Sequence, residues 1–238
     1  MIISNEHVGK LTNMVFQCEV VDHMGGKLRV INAARASFNK VHEEFDEKTD
    51  MRLMGFLARE EHTMPFRHLQ ITLHFRVPEF CARQMFRHVV GIESSTPYKD
   101  TAWSELSGRY VPYNDLYVPN VFHYQHEKNK QGASDVVHSK SDEYYYRSIE
   151  LTDRIMMLYN EMIACGVARE EARIILPMGL YTEFYWTASV LALAHFIKLR
   201  SKPEAQAHIR DIAEVLKEFA EEVFGDAFTV LYKEMESD

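Results

Sequence analysis

The sequence predicts an α+β fold in which an antiparallel sheet is flanked by helices and the C-terminal half is helical. The first observation is the run LQITLHFRV, residues 69–77, where apolar and polar side chains alternate as in a strand with one buried face. The second is that apolar residues after about residue 140 recur three or four positions apart, which is typical of amphipathic helices. Because the strands precede the helices instead of alternating with them, the pattern favours α+β over a parallel sheet.

Two shorter apolar runs before this strand predict two further strands, MVFQCEVVD at residues 14–22 and KLRVINAA at residues 27–34. After them, residues 46–61 (DEKTDMRLMGFLAREE) predict a helix. Its inward-facing residues would be Met51, Met54, Leu57 and Ala58. Pro78 then ends the main strand, since proline has no backbone N–H for the hydrogen-bond ladder.

The second half of the chain predicts a series of helices. They cover residues 141–165, residues 169–175, residues 182–199 approximately, and the segment from Pro203 to Gly225. The inward stripe of the first would be Tyr145, Ile149, Thr152, Ile155, Tyr159 and Met162. The polar segment at residues 124–143 predicts a surface loop or a partly disordered segment. Since the sequence has no repeat and no low-complexity linker, residues 1–238 are expected to form a single domain.

Composition and charge exclude several classes of protein. The 238 residues are 46% hydrophobic and contain no apolar run of the ~20 residues that would cross a membrane, so a soluble, cytoplasmic protein is expected. A formal net charge of -8 argues against a general nucleic-acid surface, so any anion site must be a local basic cluster. The three cysteines, Cys18, Cys81 and Cys165, contain no C-x-x-C pair, which predicts reduced, buried thiols.

The polar residues that interrupt these patterns most clearly are arginines. They are Arg83, Arg87, Arg109, Arg173 and Arg200. The planar guanidinium group suits phosphate and carboxylate oxygens, and Ser107 with the backbone N–H of Gly108 is a candidate to complete a phosphate cradle. Taken singly, each arginine is more often a surface or structural ion-pair partner, so the spacing alone leaves both interpretations open.

Motifs that define other kinds of site are missing from the sequence. It has neither G-x-G-x-x-G nor G-x-x-x-x-G-K-[ST], so nothing supports a Rossmann or P-loop site. His123, His126 and His138 lie in the polar segment without cysteine or carboxylate partners at metal-site spacing, and no metal centre is predicted. His62 and His68 flank a Pro-Phe turn and are, from the pattern alone, more typical of structural histidines.

Six stretches of the chain resemble the flavin-dependent thymidylate synthases and occur in the same order as in that family. They are NAARASF (32–38), EHTMPFRH (61–68), ARQMFRH (82–88), SELSGRYVP (104–112), EEARIILPMGLYTEFYW (170–186) and FIKLRSKPEAQAHIR (196–210). The resemblance extends from about Ile31 to Phe224. Several separate matches in order are much harder to obtain by chance than one short pattern.

The resemblance implies a reaction, its cofactors and an assembly. It implies the reductive methylation of dUMP to dTMP, with 5,10-methylenetetrahydrofolate as the carbon donor, FAD as the cofactor and NADPH as the reductant. It also implies a homotetramer whose active sites combine residues from several subunits. The family needs no cysteine nucleophile, in agreement with the core-like patterns around the three cysteines.

The resemblance also implies roles for individual residues. The positions that match dUMP-binding residues are Gln84, Arg87, Glu105, Leu106, Ser107, Gly108, Arg109, Arg173 and Arg200. The positions that match FAD-binding residues are Ser37, Arg87, His88, Glu105, Ser189 and His195, and His62 matches a histidine near the flavin and the folate. Arg200 matches the catalytic arginine, a fixed cation that would stabilise negative charge developing at N3 and the adjacent carbonyl of the pyrimidine.

The sequence departs from the family pattern at several flavin-contact positions. Val89 replaces the second arginine of the Arg-His-Arg signature, and Met64 replaces a threonine. Ser189 and Leu191 replace an asparagine and an arginine. Two alternatives therefore stand beside thymidylate synthesis: a divergent enzyme that modifies another pyrimidine nucleotide, and a catalytically silent nucleotide-binding subunit.

A long segment, residues 90–106, separates Val89 from Ser107, where the family has a shorter spacing. Closing a longer loop costs only about 0.6 kcal/mol per doubling of length, so both ends of the segment are expected to reach one site. The segment is expected to make an excursion near the pocket mouth, where Lys99 or Tyr98 would partly replace the cation lost at Val89 or contact folate. The alternative is a surface insertion that contacts no ligand.

Overall fold

The computed structural model describes residues 15–89 and 102–237, in which a four-stranded sheet lies at the centre. Its strands are β1 (Gln17–Met24), β2 (Gln70–Pro78), β3 (Ala102–Glu105) and β6 (Tyr181–Ser189), in the spatial order β1-β2-β6-β3. Each neighbouring pair is antiparallel. A separate hairpin pairs β4 (His123–Gln125) with β5 (Ala133–Val137). The predicted α+β class with an antiparallel sheet is therefore confirmed.

Helices cover one face of the sheet and make up most of the second half. In the described residues they are α1 (Lys27–Arg35), α2 (Thr49–Arg59), α3 (Glu79–Val89), α4 (Ser141–Ala164), α5 (Arg169–Ala172), α6 (Val190–Arg200), α7 (Ala207–Phe224) and α8 (Asp226–Ser237). Short 3₁₀ turns occur at Ala36–Phe38, Met64–His68 and Arg173–Ile175. The main core lies between the sheet and helices α1, α2, α3, α6, α7 and α8.

Strand β2 has the half-buried character that its alternation predicts. Its fully buried side chains, together with the residue before it, are Leu69, Ile71, Leu73, Phe75 and Val77. Burial of each such side chain contributes about 1.5–3 kcal/mol, so this row anchors the sheet to the helices. Strand β2 pairs with β6 along its whole length, from Gln70 opposite Ser189 to Pro78 opposite Tyr181. Helices α3 and α6 begin directly where these two strands end, and they carry the site described below.

Two predicted elements have a different secondary structure from the one expected. Residues 27–34 form helix α1 and not a strand, because Val30 and Ile31 pack a single face of a helix into the core with 0% exposure. Burial of that face outweighs the small helix-propensity deficit of β-branched residues.

The predicted helix at residues 182–199 is in fact a strand followed by a helix. In β6 the alternate side chains Thr182, Phe184, Trp186 and Ala188 are buried, as expected for a strand with one face on the core. The boundary is Ser189, whose hydroxyl accepts a hydrogen bond from the Ala192 N–H at 3.2 Å and caps α6.

Helix α4 confirms the long helix predicted after residue 140, but its inward stripe is shallow. Within the stripe Tyr159 is fully buried and the other residues are partly exposed. The Tyr159 hydroxyl accepts a hydrogen bond from the Tyr113 N–H at 3.1 Å in a second, smaller core cluster. On the outer face Tyr146, Leu151 and Met157 are 69%, 60% and 71% exposed.

Other expectations are met in part. The polar segment at residues 124–143 is largely exposed as predicted, but much of it forms the β4–β5 hairpin. Cys18 and Cys81 are buried, and burial raises the pKa of Cys81 to about 12. Cys165 is exposed, so its predicted burial is wrong, because it follows the last residue of α4 and the chain turns there toward solvent. Among the described helices, none has the length and apolarity to cross a membrane.

Candidate nucleotide and flavin site

Helix α3 places charged side chains in a cavity at the end of strand β2. Glu79, Arg83 and Arg87 stand four residues apart, so they share one face of the helix. The first turn is held in place because the Glu79 N–H donates to the Leu180 carbonyl at 2.7 Å. All three side chains line a cavity of about 650 Å³.

Four other segments of the chain complete this cavity, which is called the arginine cavity below. Its walls include Glu105 from β3, Met178 from the loop before β6, Arg200 from the end of α6, and Gln206 just before α7. Gln84 lines it from α3. Four residues to which the family resemblance assigns nucleotide binding, Gln84, Arg87, Glu105 and Arg200, are therefore brought to one cavity.

Arg200 is fixed by a neutral histidine. Its Nε donates to Nε2 of His88 at 2.9 Å, although the two residues are 112 positions apart. Burial, and then the charges of Arg200 and His195, lower the pKa of His88 to about 4, so the ring accepts the hydrogen bond uncharged. His88 also packs edge-on against Phe196, with the ring centroids 5.0 Å apart. The result is a guanidinium group held in one orientation at the cavity wall.

The positive charge in the arginine cavity is not neutralised within the described chain. No carboxylate of residues 15–89 or 102–237 is within ion-pairing distance of Arg87 or Arg200. Burial, together with the charge of Arg87, lowers the pKa of Arg200, and an arginine remains protonated at neutral pH even so. Two cations that line one cavity and form no ion pair with a carboxylate of the described residues define a candidate site for an anion, such as a phosphate or the ionised edge of a pyrimidine.

Glu105 is held at the cavity by hydrogen bonds to both of its oxygens. The Thr182 hydroxyl donates to Oε1 at 2.7 Å, and the Trp103 indole N–H donates to Oε2 at 3.0 Å. Trp103 in turn stacks on Phe184, with ring centroids 3.7 Å apart. The carboxylate is thus oriented by strands β3 and β6, which places a fixed acceptor beside the arginines.

Two polar residues of this cavity, Glu79 and Gln206, were not among the site residues predicted from the sequence. Burial, and then the charge of Glu105, raise the pKa of the Glu79 carboxyl, while Arg83 lowers it. Gln206 belongs to the AQ pair inside a stretch that carries the family resemblance, which was the available signal. Glu79 had no comparable signal beyond its position after Pro78.

Arg173 lines a second cavity of about 430 Å³, formed with Tyr113 and residues 174–180. Glu79 and Arg83 line both cavities, so the two adjoin each other along α3. Arg173 comes from the 3₁₀ turn that follows α5. The structure therefore places this predicted nucleotide-binding arginine next to the arginine cavity instead of inside it.

In the SGRY group, residues 107–110, Gly108 lies against the ring of Tyr113, and Tyr113 lines the second cavity. A Cβ atom on Gly108 would lie 2.1 Å from Cε2 of Tyr113, so only glycine fits beneath that ring. The Gly108 backbone hydrogen-bonds to the Tyr113 hydroxyl, so a phosphate would have to compete for this N–H. Leu106 packs into the smaller core cluster, and Ser107 and Arg109 line neither cavity. Phosphate binding by this group stays a prediction.

Three predicted flavin or folate residues lie away from the arginine cavity in this chain. Ser37 is exposed in the turn after α1, where its hydroxyl donates to the Ala34 carbonyl at 3.3 Å. His62 is exposed and packs edge-on against Phe56, with ring centroids 5.9 Å apart. Ser189 is fully buried as the cap of α6. The roles of these three residues in binding flavin or folate stay predictions. A fourth, His195, lies next to His88, with the ring centroids 6.3 Å apart.

The predicted excursion of residues 90–101, including Tyr98 and Lys99, lies outside the described residues, as does the side chain of Val89. Ala102–Glu105, the end of the long segment, is strand β3 and pairs with β6. Arg87 and Glu105 both line the arginine cavity. Glu105, inside the long segment, therefore reaches the cavity of Arg87, whereas Ser107 and Arg109 beyond the segment line neither cavity. The convergence of both ends on one site stays a prediction.

The fold and the cavity together define a class: an α+β protein with a cavity lined by several arginines, one of which, Arg200, is held by a neutral histidine. The family model described as thymidylate synthase complementing protein matches residues 19–224. A flavin-dependent thymidylate synthase of Thermus thermophilus is 35% identical over 204 residues, which cover 85% of this chain and 70% of that protein. The one from Thermotoga neapolitana is 37% identical over 196 residues, 82% of this chain and 81% of that protein.

A solved structure gives the same result for the fold. The UMP/dUMP methylase PolB from Streptomyces cacaoi, bound with 5-Br dUMP, superimposes with a TM-score of 0.75 at 26% identity, covering 93% of this chain and 95% of that one. The chain belongs to the flavin-dependent thymidylate synthase family. The resemblance seen in the sequence is thereby confirmed.

Proposed function

We propose that this protein is a flavin-dependent thymidylate synthase, which methylates dUMP reductively to dTMP with 5,10-methylenetetrahydrofolate, FAD and NADPH. One observation carries the proposal. In a chain of this family, Arg87 and Arg200 line one cavity with Gln84 and Glu105, and neither arginine forms an ion pair with a carboxylate of residues 15–89 or 102–237. The relatives from Thermus and Thermotoga are named for this activity.

The residues at the arginine cavity fit an FAD cofactor through their chemistry. Arg87 supplies a cation for an anionic group, Glu105 a fixed acceptor, and His88 and His195 offer uncharged ring faces and edges. These four residues would hold the flavin, with Ser37, Ser189 and His62 as further candidates. When bound, FAD supplies the reducing equivalents and the route for the one-carbon unit from folate to the pyrimidine.

The chain's own contribution to the chemistry is positioning and charge. Arg200, held by His88, would face N3 and the adjacent carbonyl of the uracil and stabilise negative charge that develops there. Since His88 is uncharged, it orients the guanidinium without neutralising it. Arg173 would bind the phosphate where the second cavity adjoins the first, and Ser107 and Arg109, which line neither cavity, are further candidates for phosphate binding.

The proposed assembly is a homotetramer with sites at the subunit interfaces, each chain folding as a single domain. Its support is the outer face of α4, where Tyr146, Leu151 and Met157 present large apolar side chains to solvent. Ser37 and His62, which line neither cavity of their own chain, are candidates to serve a neighbouring one. A cytoplasmic location, with no nucleic-acid or membrane partner, belongs to the same proposal.

A second candidate function is the methylation of UMP as well as dUMP. It is favoured by the likeness to PolB, described as a UMP/dUMP methylase. It corresponds to the divergent enzyme expected from the eroded flavin-contact positions, such as Val89 and Met64.

The purified protein is expected to be yellow, or to become so after addition of FAD, because the arginine cavity and the histidines next to Arg200, His88 and His195, fit the cofactor. It should convert dUMP to dTMP when folate and NADPH are supplied. Flavin absorbance and turnover of dUMP and UMP side by side are the measurements. A colourless protein that cannot be reconstituted and converts neither nucleotide would contradict the enzyme and favour the silent subunit.

Replacing Arg173 with alanine is expected to raise KM for dUMP by about tenfold while changing kcat less. Arg173 lies at the adjoining cavity, away from the position assigned to the base, and a ground-state contact acts on binding. Steady-state kinetics over a range of dUMP concentrations separate the two parameters. Arg169, which donates to the Tyr110 carbonyl at 3.2 Å and lines neither cavity, provides the matched control as Arg169→Ala.

A further inference from the structure

The side-chain amide of Gln84 has a fixed polarity. Its Nε2 donates to the Phe80 carbonyl at 3.3 Å and to Oε1 of Gln206 at 2.6 Å. A backbone carbonyl can only accept, so the nitrogen of Gln84 must face it. Both N–H bonds of the amide are thereby used within the protein. Oε1 of Gln84 is the polar atom that remains for a ligand in the arginine cavity.

The orientation of Gln206 is set in turn by a histidine and a tyrosine. Nε2 of Gln206 lies 3.5 Å from Nδ1 of His208, a long hydrogen bond, and Nε2 of His208 lies 3.0 Å from the Tyr117 hydroxyl. Burial lowers the pKa of His208, opposed by Asp211, so the ring is neutral and Nδ1 can accept from Gln206. Gln206 therefore turns its nitrogen to His208 and its oxygen to Gln84.

The free amide oxygen of Gln84 can bind only a ligand group that donates a hydrogen bond. It accepts hydrogen bonds only, and a nucleotide phosphate also offers acceptors only, so the two do not match. The donors of dUMP are the sugar hydroxyl and N3–H, and the N3 edge is assigned to Arg200. The sugar hydroxyl is left as the partner of Gln84.

We propose that Gln206 is a positioning residue that turns the amide oxygen of Gln84 into the cavity, where it accepts a hydrogen bond from the 3′-hydroxyl of the nucleotide sugar. The inference rests on the proposed binding of dUMP and adds which part of the nucleotide Gln84 recognises. Gln206 is exposed and its side chain does not cap α7, so substitutions there leave the fold intact.

The test compares two substitutions of Gln206 by calorimetric titration with dUMP, without folate or NADPH. Gln206→Met removes the acceptor and frees the Gln84 amide to rotate, and we expect Kd to rise by about five- to tenfold. Gln206→Glu keeps an acceptor for the Gln84 nitrogen but adds a charge that repels the nucleotide, so we expect Kd to rise by the same factor for dUMP and for 2′,3′-dideoxyuridine monophosphate. Equal Kd values for wild type and Gln206→Met would overturn the proposal.

Two further measurements identify the partner of Gln84. With 2′,3′-dideoxyuridine monophosphate, which lacks the 3′-hydroxyl, Gln206→Met should lose no affinity beyond that of the wild type. In the double variant Gln84→Met/Gln206→Met the loss for dUMP should equal that of Gln84→Met alone. A full loss with the dideoxy nucleotide, or additive losses in the double variant, would overturn the inference. If the wild type binds no dUMP, the proposed function itself fails.

Discussion

Replacing Arg200 with alanine is expected to lower kcat by about a hundredfold while the protein stays folded. The expected size follows from the removal of one fixed group that stabilises a developing negative charge. Arg200 fits that role because His88 holds its guanidinium at 2.9 Å and no carboxylate of the described residues neutralises it. Steady-state turnover of dUMP, together with circular dichroism of the variant, is the measurement.

Lys202 provides the matched control for this substitution. It is an exposed cation two residues after Arg200, and it lines neither cavity. Lys202→Ala should retain wild-type kcat and KM. If Arg200→Ala also retained them, the pair of Arg200 with His88 would be structural, and the assignment of charge stabilisation to this arginine would be wrong.

Replacing Asp50 with asparagine is expected to lower the free energy of unfolding by about 3 kcal/mol, because removing one partner of a buried ion pair leaves the other uncompensated. The Asp50 side chain is 0% exposed and accepts from Arg35 at 2.6 Å and from the Asp46 N–H at 3.0 Å. His42 lies 3.3 Å from its second oxygen. Urea unfolding measures the change. Asp153→Asn, at an exposed position of α4, is the control and should leave stability unchanged.

The same carboxylate predicts how stability changes with pH. Burial raises the pKa of Asp50, but the Asp46 N–H, Arg35 and His42 together hold it below its ordinary value. The stabilisation is therefore complete above the unfolded value of about 4 and is lost as the pH falls through the folded pKa. On acidification below about pH 4 the wild type should lose more stability than Asp50→Asn. Parallel losses in both proteins would show that Asp50 is not responsible.

Local periodicity predicted the elements whose burial follows their own pattern. Residues 69–77 alternate in sequence and in burial, and helices α2 and α4 lie where their stripes indicated. The failures occurred where two signals overlapped. Residues 182–199 contain a strand with alternating burial followed directly by an apolar helix. Assigning a single helix to the whole stretch missed the boundary at Ser189.

For the candidate site, too, the sequence predicted some features and missed others. Ordered motifs in the sequence were enough to select Gln84, Arg87, Glu105 and Arg200, which the structure brings to one cavity. They did not separate these residues from Arg173, which lies in the adjoining cavity. They also assigned a phosphate role to the Gly108 N–H, which faces Tyr113 in the folded chain.

The sequence by itself determined the fold class, the family and the arginines from which the site is built, because alternation, helical spacing and ordered motifs are properties of neighbouring residues. Only the tertiary structure decided that Arg200 meets a neutral His88, that Glu79 enters the cavity, and that Gln206 orients Gln84. The physical reason is that these contacts join residues far apart in the chain. Their distances, burial and protonation depend on how sheet and helices pack, which no local pattern contains.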